Sequence, residues 1–204
     1  VPVSKGGGMG APDPTYGSGI TATGQDEDYR QELIKHCYDL KTKIKSGGED
    51  WLSNETYNTS DGQYNIVNDK KFETLNKWIV KSVEEYLIKT TMNITLNLVD
   101  GWLNIYNKNN YQELHRHNTY VMSCIFYLQA PNNFAQTMFY SPYSEMVINE
   151  AIYKNQKFDP SGRINFKAKE GDLVMFRSYV QHAVGLHKDN KDRITLAYNF
   201  KEAK

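Results

Sequence analysis

Hydrophobic positions recur every three or four residues in the first part of the chain and about every second residue in the rest. Between residues 26 and 45 the apolar side chains form one helical stripe, with Gly47-Gly48 beyond its end. A second stripe of the same spacing contains Phe72, Leu75, Ile79, Val83 and Tyr86. The pattern therefore predicts two helices, at about 26–45 and 70–89, with a polar loop between them.

From Ile94 onward the pattern changes to that of short β-strands. The predicted strands are ITLNLV, WLNIYN, TYVMSCIFYLQ, TMFY, RINFKA, DLVMF, HAVGL and RITLAYNF. Turn signals separate them, such as Asp100-Gly101 and Glu170-Gly171-Asp172. Two helices followed by strands favour an α+β fold with a β-sandwich or jelly-roll core. No Gly-rich phosphate loop precedes a helix, which disfavours a nucleotide-binding fold.

Composition narrows the class of protein. Residues 1–24 are rich in Gly, Pro, Ser and Thr, which is typical of a flexible or extended tail ahead of one domain at 25–204. The 24 basic and 24 acidic side chains give a formal net charge of zero, which argues against a generic nucleic-acid binder. No apolar run is long enough to cross a membrane. Two cysteines and no signal-peptide core favour a cytoplasmic protein.

Three histidines form a candidate metal site. His115 and His117 are the outer residues of the triplet HRH, and in an extended chain residues i and i+2 point to the same face. His182 opens a distant strand, which a jelly roll can place beside the first. Imidazoles on one face of a metal leave the other face open, as in non-haem Fe(II) sites. We expect no ligand role for His36, in the first helix, or for His187, exposed in the polar loop HKDNKD.

Arg193 begins the last apolar strand, RITLAYNF. If its side chain enters the β-sandwich, it needs an anionic partner, because an unpaired buried charge is very costly. A small-molecule carboxylate would accept two parallel hydrogen bonds from it, and Thr195, on the same face of the strand, could donate another. The alternative is that Arg193 lies on a solvent face.

Three stretches of the chain resemble the Fe(II)- and 2-oxoglutarate-dependent oxygenases. They are WLNIY with the following HRH and SCIFYL, then GDLVMFRSYVQH, then RITLAYNF, all within residues 94–200. Their order and spacing resemble the prolyl hydroxylase-like branch, and they are similar to oxygenases of bacteria and phages with an HxH…H…R pattern. The resemblance implies a double-stranded β-helix (jelly-roll) core braced by the two N-terminal helices.

The resemblance also implies roles for individual residues. The metal ligands would be His115 and His182, and His117 stands where the usual triad has a carboxylate. We expect His117 to bind the metal as well, because the i and i+2 geometry makes this easy; the alternative is that it leaves the position to water or another ligand. The residues that bind the cosubstrate or line its pocket would be Arg193, Thr195, Tyr127, Tyr106 and Asn104. The implied cofactors are Fe(II), 2-oxoglutarate as cosubstrate, and O2.

The implied reaction is hydroxylation of a C–H bond with release of succinate and CO2. The substrate would be a peptide, a protein or a small molecule, with a prolyl residue of a protein as the first candidate. Candidate substrate walls are the loops 107–114 and 141–161, with Tyr140, Tyr143 and Tyr153 in or beside the second.

Two alternatives remain open on the residues alone. A Zn-dependent lyase or hydrolase could use the HxH pair and the distant histidine to hold Zn with an activated water. A non-catalytic jelly-roll binding module would leave His182 far from His115.

Overall fold

The computed structural model describes residues 27–141 and 162–203. Helix α1 spans Glu27–Lys43 and helix α2 spans Glu73–Lys89, where the two apolar stripes lie. Two short 3₁₀ turns, Ile66–Asn68 and Lys70–Phe72, lead into α2. The predicted tail at residues 1–24 and the predicted wall residues Tyr143 and Tyr153 lie outside the described residues.

Nine strands form two antiparallel sheets in the described part of the chain. They are β1 Tyr57–Asn58, β2 Leu96–Tyr106, β3 Gln112–His115, β4 Met122–Gln129, β5 Thr137–Tyr140, β6 Arg163–Phe166, β7 Leu173–Arg177, β8 Gln181–Val184 and β9 Arg193–Glu202. One sheet has the order β1-β2-β9-β4-β7, and the other has the order β3-β8-β5-β6. This arrangement, with helices against one sheet, confirms the predicted α+β jelly roll.

Both faces of the central strands β9 and β4 are buried, and side chains alternate between the two faces. On β9 the apolar residues Ile194, Leu196, Tyr198 and Phe200 join the core formed with the helices. The helices contribute Leu33, Ile34, Cys37, Leu40, Leu75, Ile79, Val83 and Leu87 to it. The alternate β9 residues Arg193, Thr195, Ala197 and Asn199 line a pocket between the two sheets. One face therefore packs the helices, and the other holds polar side chains.

The turn predicted at Asp100-Gly101 is wrong. The two predicted strands ITLNLV and WLNIYN form the single strand β2, with an irregularity between Leu98 and Asp100. A Cβ on Gly101 would lie 2.9 Å from the Ile66 Cγ1 atom and 3.1 Å from the Ala197 carbonyl oxygen. The glycine therefore allows Ile66 and the backbone of the neighbouring strand to pack closely, and it does not form a turn.

The exposure expected for His187 is also wrong, since its side chain is fully buried. Its Nδ1 accepts a hydrogen bond from the Ala135 N–H at 3.3 Å, and its Nε2 donates to the Lys191 carbonyl at 2.9 Å. A neutral imidazole is satisfied by this pair of contacts, so the ring fastens its polar loop to the body of the protein. His36 is half-buried on α1, and its Nε2 lies 2.7 Å from the Asp69 Oδ2.

The cysteines and the length of the helices relate to the class of protein expected from the composition. Cys37 and Cys124 are both buried free thiols. In residues 27–141 and 162–203, none of the helices combines the length and the apolar character needed to cross a membrane.

Candidate functional site

The jelly roll brings the three predicted histidines together. Strands β3 and β8 are neighbours, and His115 lies directly opposite His182 in their register. His117 lies two residues beyond the end of β3, where its backbone N–H donates to the Ser178 carbonyl at 2.9 Å. Ring centroids are 4.1 Å apart for His115 and His182, and 5.0 Å apart for His117 and His182. One ligand nitrogen from each ring lies within 4.8 Å of the others.

In His115 and His182, hydrogen bonds to backbone carbonyls fix which ring nitrogen is free. The His115 Nδ1 lies 2.8 Å from the Glu113 carbonyl, and the His182 Nδ1 lies 3.1 Å from the Val180 carbonyl. Because a carbonyl only accepts, each of these Nδ1 atoms carries the proton and each Nε2 keeps its lone pair. A hydrogen bond from Nδ1 to a backbone carbonyl is an arrangement that orients metal-binding histidines, because it leaves Nε2 for the metal.

Burial keeps the three imidazoles neutral. It lowers the pKa of His115, and it lowers the pKa of His182 well below its usual range. Burial together with the neighbouring His115 lowers the pKa of His117 to about 4. Neutral imidazole is the form that coordinates a metal, so at neutral pH no proton has to leave before a metal binds.

At the other end of the site Arg193 is buried, with 1% of its surface exposed. Its Nη2 donates to the Thr137 Oγ1 at 3.0 Å, and its guanidinium carbon lies 4.5 Å from the centre of the Tyr106 ring. The buried Nε and Nη1 atoms have no hydrogen-bond partner among the described residues. Two such donors on a permanent cation fit a carboxylate ligand.

The remaining cosubstrate candidates lie around Arg193. Tyr106, Asn104 and Thr195 line the same pocket of about 370 Å³ as Arg193 and the three histidines. Tyr127 is fully buried behind it, with its ring centre 5.2 Å from the Arg193 guanidinium and its hydroxyl 2.7 Å from the Thr137 Oγ1. All the predicted site residues therefore lie in or directly behind one pocket. A non-catalytic module predicted that His182 would lie far from His115, and the two rings are instead neighbours.

Two tryptophans flank the metal-site histidines at the pocket mouth. The Trp51 ring centre lies 5.1 Å from that of His115, and the Trp102 ring centre lies 5.3 Å from that of His117. Both indoles line the pocket and are partly exposed. The Glu113 carboxylate holds the Trp51 loop by accepting hydrogen bonds from the backbone N–H groups of Leu52 at 2.8 Å and Ser53 at 3.1 Å.

The predicted wall at 107–114 divides into two parts. Gln112 lines the pocket. Farther back, the Asn107 side chain donates to the Asp192 Oδ1 at 2.7 Å, and the Asn109 N–H donates to the His187 carbonyl at 2.7 Å. The first half of this loop therefore supports the segment that leads into Arg193. Tyr140 ends β5 and is half-buried.

Sequence reasoning missed three residues of the site. Thr137 is a lone threonine in the run TMFY, and Trp51 lies in a polar loop, so neither has a periodic signal. Asn199 did have one, because it shares the every-second-residue spacing of Arg193 and Thr195 on the pocket face.

Comparison with known proteins connects this geometry to a family. Residues 100–199 match the family model described as "Putative 2OG-Fe(II) oxygenase". No curated protein sequence matches the chain.

Solved structures of low sequence identity share the fold. The non-heme alpha ketoglutarate dependent epimerase SnoN from nogalamycin biosynthesis has a TM-score of 0.62 at 13% identity, over 87% of this chain and 73% of its own. A Pseudomonas putida prolyl-4-hydroxylase has a TM-score of 0.58 at 12% identity, over 87% and 88%. The viral collagen prolyl hydroxylase of Paramecium Bursaria Chlorella virus-1 has 0.55 at 16%, over 87% and 91%.

The family match covers about half of the chain, and that half contains every histidine of the metal site and Arg193. Through residues 100–199 the chain therefore belongs to the family of 2OG-Fe(II) oxygenases, enzymes that use Fe(II), 2-oxoglutarate and O2.

Proposed function

We propose that this oxygenase hydroxylates a C–H bond of a prolyl residue in a peptide or protein, with release of succinate and CO2. One observation carries the chemistry: three convergent imidazoles share a pocket with Arg193, whose buried nitrogens lack partners. The substrate assignment depends on the two indoles at the mouth of that pocket.

The donor set of the histidines fits a divalent metal. His115, His117 and His182 are neutral and offer one ligand nitrogen each, all within 4.8 Å of one another. In our proposal these three residues hold Fe(II) from one side. When bound, Fe(II) and 2-oxoglutarate supply the oxidising chemistry with O2. The protein binds and orients the reactants and excludes side reactions.

Arg193 binds the distal carboxylate of 2-oxoglutarate in this proposal. Thr137 fixes the guanidinium by accepting its Nη2 hydrogen bond, and Tyr127 in turn bonds Thr137. The two unpartnered nitrogens are thereby held ready for an anion. The Thr195 hydroxyl lines the same end of the pocket and is placed to donate a further bond.

Trp51 and Trp102 form the substrate end of the site. Proline-rich segments bind in grooves lined by aromatic side chains, because their extended conformation is preformed and their rings pack on flat aromatic faces. The pocket is also lined by the neutral, exposed amide of Asn118, which can bond a peptide backbone. Two solved structures of the same fold are prolyl hydroxylases by name, which supports the choice.

A Zn-dependent lyase or hydrolase is less well supported. It would use the three histidines but would leave a buried, half-partnered arginine without a function. Metal analysis separates the two proposals, since bound Zn without affinity for 2-oxoglutarate would favour the alternative.

The test is turnover on defined peptides. The purified protein with Fe(II), 2-oxoglutarate and O2 should release succinate faster when proline-containing peptides are added, and the peptide should gain one oxygen atom by mass. The same peptides with alanine in place of proline are the control. Equal succinate release with both peptides would overturn the prolyl assignment, and no 2-oxoglutarate consumption under any condition would contradict a competent active site.

The Trp51→Ala variant separates substrate binding from cosubstrate binding. We expect it to lose the stimulation by proline peptides while binding 2-oxoglutarate as tightly as the parent, because Arg193 lies at the other end of the pocket. Unchanged stimulation would remove Trp51 from the substrate site.

A further inference from the structure

The hydrogen-bond partners of the three metal-site imidazoles are all uncharged among the residues that the structure describes. Two are the backbone carbonyls of Glu113 and Val180, and for His117 they are side-chain oxygens of Ser123 and Asn199. The carboxylate of Asp100 lines the same pocket, but it accepts a hydrogen bond from the Tyr120 hydroxyl at 3.1 Å. It is not among the groups close enough to share an ion with the histidines.

Asn199 occupies the place where a carboxylate would orient a metal-binding histidine. Its Oδ1 lies 2.9 Å from the His117 Nδ1 and accepts from the Ser123 Oγ at 2.7 Å. Ser123 lies opposite Asn199 in the β4–β9 register and is 2.8 Å from the Ser178 Oγ. All three network residues have at most 1% of their surface exposed. The amide oxygen therefore fixes the His117 tautomer without adding negative charge.

The charge of the site follows from these contacts. Histidine coordinates a metal as the neutral imidazole, so the three ligands add no charge, whereas Arg193 contributes a buried positive charge whose Nε and Nη1 lack partners among the described residues. A divalent metal adds two positive charges in surroundings of low dielectric, where charges interact strongly. A carboxylate ligand would cancel one of them. Here no protein ligand in the described part of the chain does so, because the carboxylates of Asp100 and Glu113 are not among the groups that could share the ion with the histidines. The negative charge bound directly to the metal therefore comes from the cosubstrate.

We propose that Asn199 is the positioning residue for His117, and that its neutral amide, where a carboxylate would add negative charge, makes metal binding depend more strongly on the dianionic 2-oxoglutarate. The inference rests on the three-histidine ligation in the proposed function. Coupling of this kind is reciprocal, so the metal must raise the affinity for 2-oxoglutarate by the same factor.

The experiment measures Co(II) binding to the full chain by calorimetry, with and without saturating 2-oxoglutarate. In the parent we expect the cosubstrate to tighten Co(II) binding by about ten- to a hundredfold. The decisive comparison is Asn199→Asp, which keeps the shape of the side chain and adds one negative charge. It should tighten Co(II) binding without 2-oxoglutarate and lower the coupling factor several-fold.

Ser178→Ala is the matched control, because it changes the outer end of the same network without changing its charge. Its coupling factor should equal that of the parent. An unchanged coupling factor in Asn199→Asp would overturn the electrostatic inference while leaving the proposed function intact. No Co(II) binding by the parent would overturn the three-histidine site, and this inference with it.

The positioning role of Asn199 is tested separately, by the affinity for Co(II) and the visible spectrum of bound Co(II). Asn199→Ala should weaken Co(II) binding by about ten- to a hundredfold and alter the visible spectrum of bound Co(II), because His117 loses its anchor. Asn199→Asp should restore the affinity. Ser123→Ala, which keeps Asn199, should have a smaller effect. Parent-like affinity and spectrum in Asn199→Ala would show that Asn199 does not position His117.

Discussion

Strand β9 has two faces that are equally buried and chemically opposite. Ile194, Leu196, Tyr198 and Phe200 pack against the helices, whereas Arg193, Thr195 and Asn199 line the pocket. Every one of these seven side chains has at most 2% of its surface exposed. Burial alone therefore does not distinguish core from site.

The two faces differ in whether their side chains find their interaction partners within the protein. On the helix side, apolar groups complete each other's packing within the protein, and the Tyr198 hydroxyl is a neutral buried group without a partner among the described residues. On the pocket side, Arg193 keeps unpartnered donors, and the imidazoles keep free lone pairs. The helix face should consequently control the free energy of unfolding, and the pocket face should control ligand binding. Single substitutions can separate these two effects.

The largest effect is expected on the helix face. Phe200→Ala should lower the free energy of unfolding by about 3–5 kcal/mol, because it removes buried apolar surface and leaves a cavity. Urea unfolding followed by circular dichroism measures it. Ile88→Ala, at an exposed position on α2, is the control and should change stability by less than about 0.5 kcal/mol. A loss below about 1 kcal/mol for Phe200→Ala would show that this face is not tightly packed.

Arg193→Met should separate the two faces most clearly. We expect 2-oxoglutarate binding to weaken by at least about 2 kcal/mol, or roughly thirtyfold, because the buried carboxylate loses its charged partner. The ligand-free protein should be as stable as the parent or more stable, since an incompletely paired buried charge is replaced by an apolar chain. Calorimetry and urea unfolding give the two values. The Lys81→Met variant, at an exposed position on α2, is the control, and parent-like 2-oxoglutarate affinity in Arg193→Met would contradict the cosubstrate assignment.

Thr137→Val tests the support behind Arg193. The valine cannot accept from the Arg193 Nη2 or bond the Tyr127 hydroxyl, so the affinity for 2-oxoglutarate should fall by about 1–2 kcal/mol. Thr137→Ser retains the hydroxyl and should bind as the parent does. If valine and serine gave the same affinity, the hydroxyl would have no part in holding the arginine.

Thr195→Val should have the smallest effect of the four. Losing one hydroxyl donor at the cosubstrate end should weaken 2-oxoglutarate binding by about 0.5–1.5 kcal/mol, with little change in unfolding. Both quantities come from the same calorimetric and urea measurements. A stability loss larger than the loss of affinity would place Thr195 with the core rather than with the site.

Much of the fold follows from periodicity, and the exceptions have physical causes. The helices and the long strands have repeated apolar positions, so they could be predicted. Strand β3, Gln112–His115, could not be predicted, because its four residues are mostly polar and its pairing with β8 is set by tertiary structure. Asp100-Gly101 has the composition of a turn, but the glycine is needed for close packing against Ile66.

The site was predictable where it followed strand alternation or a family pattern. His115, His117, His182 and Arg193 each belong to such a pattern, and they meet in one pocket. The hydrogen bonds that support these residues, such as those of Thr137 and Asn199, could not be predicted from the sequence, because they depend on which strands become neighbours. The buried position of His187 is of the same kind, since its two partners come from different segments.

A crystal structure of the protein grown with Fe(II) and 2-oxoglutarate without oxygen, with an anomalous-scattering map at the iron edge, tests the central claim most directly. We predict one metal peak bonded to the Nε2 atoms of His115, His117 and His182, with a 2-oxoglutarate carboxylate paired to Arg193. A metal bound elsewhere, or a carboxylate group that does not reach Arg193, would contradict the account.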